Sequence, residues 1–403
     1  MRGQARTVGA VAGLVLLLQA GFAIAHDEPR YRTTHPDIAL RNLDHQIEQA
    51  RRVLSVHANN VAAVHSLLDH LLNRVQFRGS YSDFDEALSI TERLLQALPD
   101  DPGAGLARAR ILERVHRFDE AIALLDDIQA RIGETPSSRQ ARSWLQTTEQ
   151  ARIRITIARG RPEEVIEAVS HRAAEQPGFA THTQLAFALV ALGRIDEAER
   201  SYLQALGSWD QMTPFPVAWV EFQRGELHVG RDDARAATHY RRALDYLPHY
   251  VSPRVHLAEL LAENQDLDGA IALLEAIAGQ SEDPEVDSRL AEFLMAAGRS
   301  DDAAAVRSRA ERGYAALAAR HPLAFLDHIA EFWLGAGGDP QQAWIHAQGH
   351  LANGASDRAL ALAIEAAAAA QRPERCELVA QASSRRGRLP GLNEQLDAHS
   401  QGC

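Results

Sequence analysis

A short signature recurs through most of the chain and leaves few folds open to it. Its clearest copies are Gly193-Arg194-Ile195-Asp196-Glu197-Ala198 and Gly298-Arg299-Ser300-Asp301-Asp302-Ala303. Phe84-Asp85-Glu86-Ala87, Phe118-Asp119-Glu120-Ala121 and Asp266-Leu267-Asp268-Gly269-Ala270 are weaker copies. Gly160-Arg161-Pro162-Glu163-Glu164-Val165 and Gly230-Arg231-Asp232-Asp233-Ala234 are variants. With Ala87, Ala121, Val165, Ala198, Ala236, Ala270 and Ala303 as equivalent pivots, the steps are 34, 44, 33, 38, 34 and 33 residues. Bulky groups follow four residues after several pivots (Leu125, Tyr202, Tyr240, Leu274). Seven residues after the pivots stand Leu94, Ile128, Ala205, Ala243 and Ile277. Offsets of four and seven share one helical face, so each pivot opens a buried stripe. Pro99, Pro177 and Pro248, twelve residues on, stop that helix, because proline lacks an N–H and clashes with a continuing turn. The Gly-Arg step punctuates the preceding helix, and the acidic pair after it suits the positive end of the next helix dipole.

A period near 34 residues with helix–turn–helix content resembles the tetratricopeptide repeat family over roughly residues 60–320. The family's tryptophan near the start of the first helix is mostly absent. The resemblance implies an all-α, right-handed superhelical solenoid of antiparallel helix pairs, with a small pivot letting the helices of a pair approach. It also implies that the first helix of each pair lines a concave groove holding a peptide or partner helix. The groove-facing positions, carried over, are Arg110, Glu113, Gln150, Arg154, Thr183, Phe187, Arg224, Glu259, Ser288 and Glu292. They run from basic in the middle of the chain to acidic toward its end, a gradient that orients a polar ligand more than it adds affinity. Each unit is expected to touch only its neighbours, giving one elongated superhelix.

Four segments are expected: a secretory signal over 1–25, an N-terminal tail and capping helix over 26–60, repeats over 61–320, and further helical repeats or a cap with a tail over 321–403. Arg2 and Arg6 precede the apolar run Val8–Leu18, and Ala23-Ile24-Ala25 has the small-x-small form of a cleavage site. After 26–41, read as loop, helical spacing begins at Asn42–His57. Helix pairs then follow, with a long helix over 139–158 accounting for the 44-residue step, and helices over 324–335, 340–352, 357–371 and 374–386 complete the chain. His321–Leu351 is similar to the C-terminal segment of exported bacterial repeat proteins, which implies no activity.

The formal charge is −12, and −14 once Arg2 and Arg6 are removed, which argues against a nucleic-acid partner. All 42 Lys+Arg positions are arginine, a bias read as bacterial ancestry. No second apolar run is long enough to span a membrane. Glycine-rich phosphate loops, G-x-S-x-G, H-E-x-x-H and paired C-x-x-C motifs are absent, and neither an enzyme nor a cofactor is expected. The expected product is an exported, periplasmic or secreted scaffold for a protein or peptide. One alternative is a copper- or zinc-handling protein, and another is a docking subunit of an envelope assembly or secretion complex; the sequence leaves the oligomeric state open.

Eighteen histidines motivate the metal alternative. His346 and His350, four apart on a helix, can chelate one divalent ion, and His65, Asp69 and His70 with His57 form a second group. Cleavage after Ala25 would also leave His26 with a free amine and ring to hold copper. Cys376 and Cys403 allow one internal disulfide in an oxidising compartment, pinning the tail 389–402 onto the last helix, or two free or intermolecular thiols.

Overall fold

In a computed structural model the residues described are 31–133, 138–400 and 403. The segment 1–25 expected to be a secretory signal, His26 and part of the 133–138 connection lie outside them. Thr33–Cys403 forms one compact unit. It is a right-handed solenoid of antiparallel helix pairs, with α-helices and no strand among the described residues.

Helix α1 (Pro36–Val56) precedes the pairs α2 (Val61–Arg78) with α3 (Ser82–Ala97) and α4 (Pro102–Arg114) with α5 (Phe118–Ile132). Helix α6 (Arg139–Ala158) is followed by a tight 3₁₀ turn at Pro162–Glu164 and α7 (Ile166–Glu175). The next pairs are α8 (Phe179–Ala191) with α9 (Ile195–Gly207), α10 (Phe215–His228) with α11 (Asp233–Tyr246), α12 (Val251–Glu263) with α13 (Leu267–Glu275), and α14 (Pro284–Ala296) with α15 (Ser300–Arg320). The chain ends with α16 (Leu326–Leu334), α17 (Pro340–Asn353), α18 (Asp357–Ala369), α19 (Arg375–Ser383) and α20 (Pro390–His399).

The pivots are where the pairs close. Ala87, Ala121, Ala198, Ala236, Ala270 and Ala303 are all buried, and Leu125, Tyr202, Tyr240 and Leu274 sit beneath them. Val165 is the exception and is only half-buried, because Pro162 opens a 3₁₀ turn there and α7 starts one residue later. Gly160, Gly193 and Gly298, five residues before their pivots, are left-handed, with φ of 76°, 72° and 76°. His116 and Gln265 occupy the same place in their repeats and adopt the same hand at φ 57° and 67°. The helix-to-helix turn therefore demands this conformation even where the side chain opposes it.

Two boundaries differ from expectation. Helix α1 begins inside the segment read as loop, since Pro36 takes the first helical position and the ring of His35 accepts from Asp37 N at 3.4 Å. The tail after residue 389 is also helical: α20 buries Leu392 and Leu396, four apart, against the core around α18. Cys376 on α19 and Cys403 form a disulfide with Cα atoms 5.1 Å apart.

The larger correction is to the expectation of neighbour-only contacts. One hydrophobic core holds Leu43, Leu67, Leu71 and Phe84 of α1–α3 together with Tyr314 and Leu317 of α15, Ile329 and Phe332 of α16, and Phe325 between them. Polar contacts seal the same return. Tyr81 Oη donates to Asp283 Oδ2 at 3.0 Å, and Ser82 donates from N and Oγ to Glu282 at 2.6 and 2.8 Å. Further along, Asn353 Nδ2 donates to His116 O at 3.0 Å, and Arg388 pairs with Glu163 at 2.7 Å. The turn edges of early repeats thus abut the later helices, closely enough that a Cβ on Gly160 would lie 2.2 Å from Ala355 O.

Candidate functional site

The first helices of successive pairs are stitched along one face. Arg154 of α6 makes a two-pronged pair with Glu113 of α4, at 2.6 and 2.7 Å. Burial works against the Arg154 charge, but Glu113 outweighs it and holds the guanidinium above its ordinary range. Gln184 of α8 donates to Gln150 O of α6 at 3.2 Å. Phe187 of α8 lies nearly flat on Trp219 of α10, centroids 5.7 Å apart and planes 13° apart, and remains 43% exposed. Arg110 pairs with Asp69 of α2 at 2.5 Å.

Other positions expected in the groove are not open. Arg224 is fully buried: Nε and Nη2 donate to Glu199 Oε1 at 3.0 and 2.7 Å, and Nη1 to Glu221 Oε1 at 3.3 Å. The guanidinium therefore meets α9 and its own helix rather than solvent. Thr183 and Ser288 are also buried, and the Thr183 hydroxyl donates to Ala180 O at 3.0 Å. Phe77 at the end of α2 packs on Phe215 and Tyr250, with centroids 5.0 and 4.8 Å away.

The acidic end of the expected gradient is neutralised by arginines the sequence reading did not place there. Arg289 reaches Glu259 at 2.7 Å, Glu292 at 3.2 Å and Glu331 at 3.4 Å. Arg358 continues to Glu331 at 2.9 Å. Two histidines join this network. Burial pushes the His256 imidazolium down, yet Glu226 and Glu259 override it and lift the group to about 10. His328 is likewise lifted to about 10, with Asp327 and Glu285 outweighing burial. Both values lie above the roughly 6.5 of an unfolded histidine. Their stabilisation is therefore full below about pH 6.5 and is lost as pH rises toward about 10. Urea midpoints at pH 6, 8 and 10 should fall in that order, and the gap between wild type and His328→Gln should be widest at pH 6. A gap that does not change with pH would contradict a charged His328.

His346 and His350 lie on α17, and burial pushes both imidazoliums down. Among the described residues, two groups bring three donor side chains within 4.8 Å of one another: Glu285/His328/Glu331 and Glu199/His228/His239. His346 and His350 belong to neither. One sign of the second group was present in the sequence: His239 stands three residues after its pivot, where other repeats have Leu124, Ser201, Leu273 and Val306.

Antiparallel helix pairs around a small pivot, stacked into a right-handed superhelix, define a helical-repeat solenoid. Residues 80–145 and 232–288 match the tetratricopeptide repeat family. No curated protein matches the sequence. Among solved structures it is similar to a chain of the APC/C hetero-tetramer Cut9–Hcn1, at 16% identity and a TM-score of 0.47, covering 83% of this chain and 60% of that one. It is also similar to yeast Tom70, at 14% identity and a TM-score of 0.32, covering 91% and 95%. The P58(IPK) TPR domain is similar at 14% identity and a TM-score of 0.30, covering 90% and 94%. The chain spans 60% of the length of the first of these. No helix among the described residues is long and apolar enough to cross a membrane.

Proposed function

We propose that this protein is an exported, non-enzymatic scaffold that binds a protein or peptide along the shared face of α6, α8 and α10. The observation that carries the reading is Phe187: a large aromatic ring left 43% exposed while braced flat against Trp219. A rigid, half-open aromatic anchor flanked by polar groups is the usual nucleus of a recognition surface. Arg154 and Gln150, on the adjoining helix, supply a guanidinium already oriented by Glu113 and an amide to meet the backbone or carboxylates of an extended partner. Export is supported by the basic–apolar–small sequence of residues 1–25 and by the Cys376–Cys403 disulfide, which suits an oxidising compartment.

The test is non-covalent capture from a native envelope extract by the chain lacking residues 1–25, compared with the double variant Phe187→Ala/Arg154→Glu. One stoichiometric protein, lost in the double variant, supports the reading. Equal capture by both would sink it and move docking to the outer surface, as in a subunit of an envelope assembly. Arg224 is unsuitable for such a test, because reversing a buried charge reports on folding.

A further inference from the structure

Three consecutive helices converge at the α9–α10–α11 junction on a group that the scaffold reading leaves unused. Glu199 of α9, His228 in the last turn of α10 and His239 of α11 each place a donor atom within 4.8 Å of the others. All three are buried, at 9%, 9% and 3% exposure. Two of the atoms have no hydrogen-bond partner: His228 Nε2 and Glu199 Oε2. Leaving such groups buried and unpaired is costly, and a native structure that does so twice at one point calls for an occupant.

The surroundings favour a cation over a bound water. Glu199 Oε1 takes the hydrogen bonds from Arg224 at 3.0 and 2.7 Å and from Arg235 at 3.1 Å, leaving Oε2 without a partner. His239 Nδ1 is bonded to Glu221 Oε2 at 2.8 Å. A carboxylate on Nδ1 fixes the proton there and frees Nε2, the arrangement by which proteins orient and strengthen imidazole ligands. Two imidazoles and one carboxylate make a three-ligand set that suits zinc, with a fourth position open to water. The two nearby guanidiniums oppose a dication, and Glu199 and Glu221 balance them.

We infer that Glu199, His228 and His239 bind one zinc ion per chain, with Glu221 as a positioning residue that orients His239. Coordination joins α9, α10 and α11 and so stiffens the junction beside the Phe187–Trp219 platform.

The experiment titrates zinc into the full chain, stripped beforehand with a chelator, against a competing chromophoric chelator, and records zinc K-edge absorption of the loaded protein. One zinc per chain is expected, with a shell containing two imidazole nitrogens. His228→Gln should abolish the site while leaving the far-ultraviolet circular dichroism of the zinc-free protein unchanged. Glu221→Gln should weaken binding by about 10–100-fold, the usual consequence of losing a ligand's orienting partner. Unchanged stoichiometry in His228→Gln, or no saturable zinc at all, overturns the inference. Should His228→Gln fail to fold, the absorption spectrum of the wild type decides, and a shell without imidazole overturns it.

Discussion

Replacing Arg224 with methionine should destabilise the protein by about 3–5 kcal/mol, the range for removing one partner of a buried ion pair. Methionine fills much of the same volume, so the loss comes from charge rather than from a cavity. Glu199 and Glu221 are buried beside Arg224 and would face each other's charge across the α9–α10–α11 junction without their shared guanidinium. Urea denaturation followed by circular dichroism measures the effect. Adding Glu221→Gln to Arg224→Met should recover part of it by removing one orphaned charge. A loss below about 1 kcal/mol, the scale of an exposed pair, would mean that water reaches this site.

Gly160→Ala should have the second large effect, and it separates two causes. The residue sits at φ 76°, a left-handed conformation that costs an L-residue about 1–2 kcal/mol. Its Cβ would also fall 2.2 Å from the backbone oxygen of Ala355, which cannot turn aside as a side chain would. Gly298 has the same φ of 76° with nothing within 4 Å of its Cβ position. Gly298→Ala should therefore lose only the conformational part, about 1–2 kcal/mol. Gly160→Ala should lose distinctly more, with faster amide exchange around residues 353–357, where the later helices meet the early turn. Equal losses in the two variants would mean that the seam yields at little cost.

The repeats were legible because their punctuation is chemical. In the clearest copies glycine before the turn, an acidic pair after it and proline at the far end mark a helix pair without any tertiary information, and α6 spans the expected Arg139–Ala158. Helix α20 escaped because ten residues carry only one full stripe, Leu392 and Leu396, and a short stripe reads equally well as tail. The return of α15–α16 onto α1–α3 was not legible at all. Tyr81 and Glu282 help to hold it together, and neither belongs to a periodic pattern. The site was read only in part. Phe187 stays partly exposed, whereas the burial of Arg224 depends on Glu199 of α9 as well as on Glu221 of its own helix. Of those acceptors only Glu221, three residues earlier, could have been suspected from the sequence.

The shared core of α1–α4 and α15–α16 bears on how the protein is made. A ribosome releases Leu67, Leu71 and Phe84 more than two hundred residues before Tyr314 and Phe325 emerge to cover them. Until then the early repeats carry an uncovered apolar flank, and the loop to be closed is long, which slows folding. A chain that ended before α15 would keep that flank bare permanently. Such a fragment should gather on chaperones rather than persist as a shorter version of the same solenoid, so in this molecule the first repeats mature last.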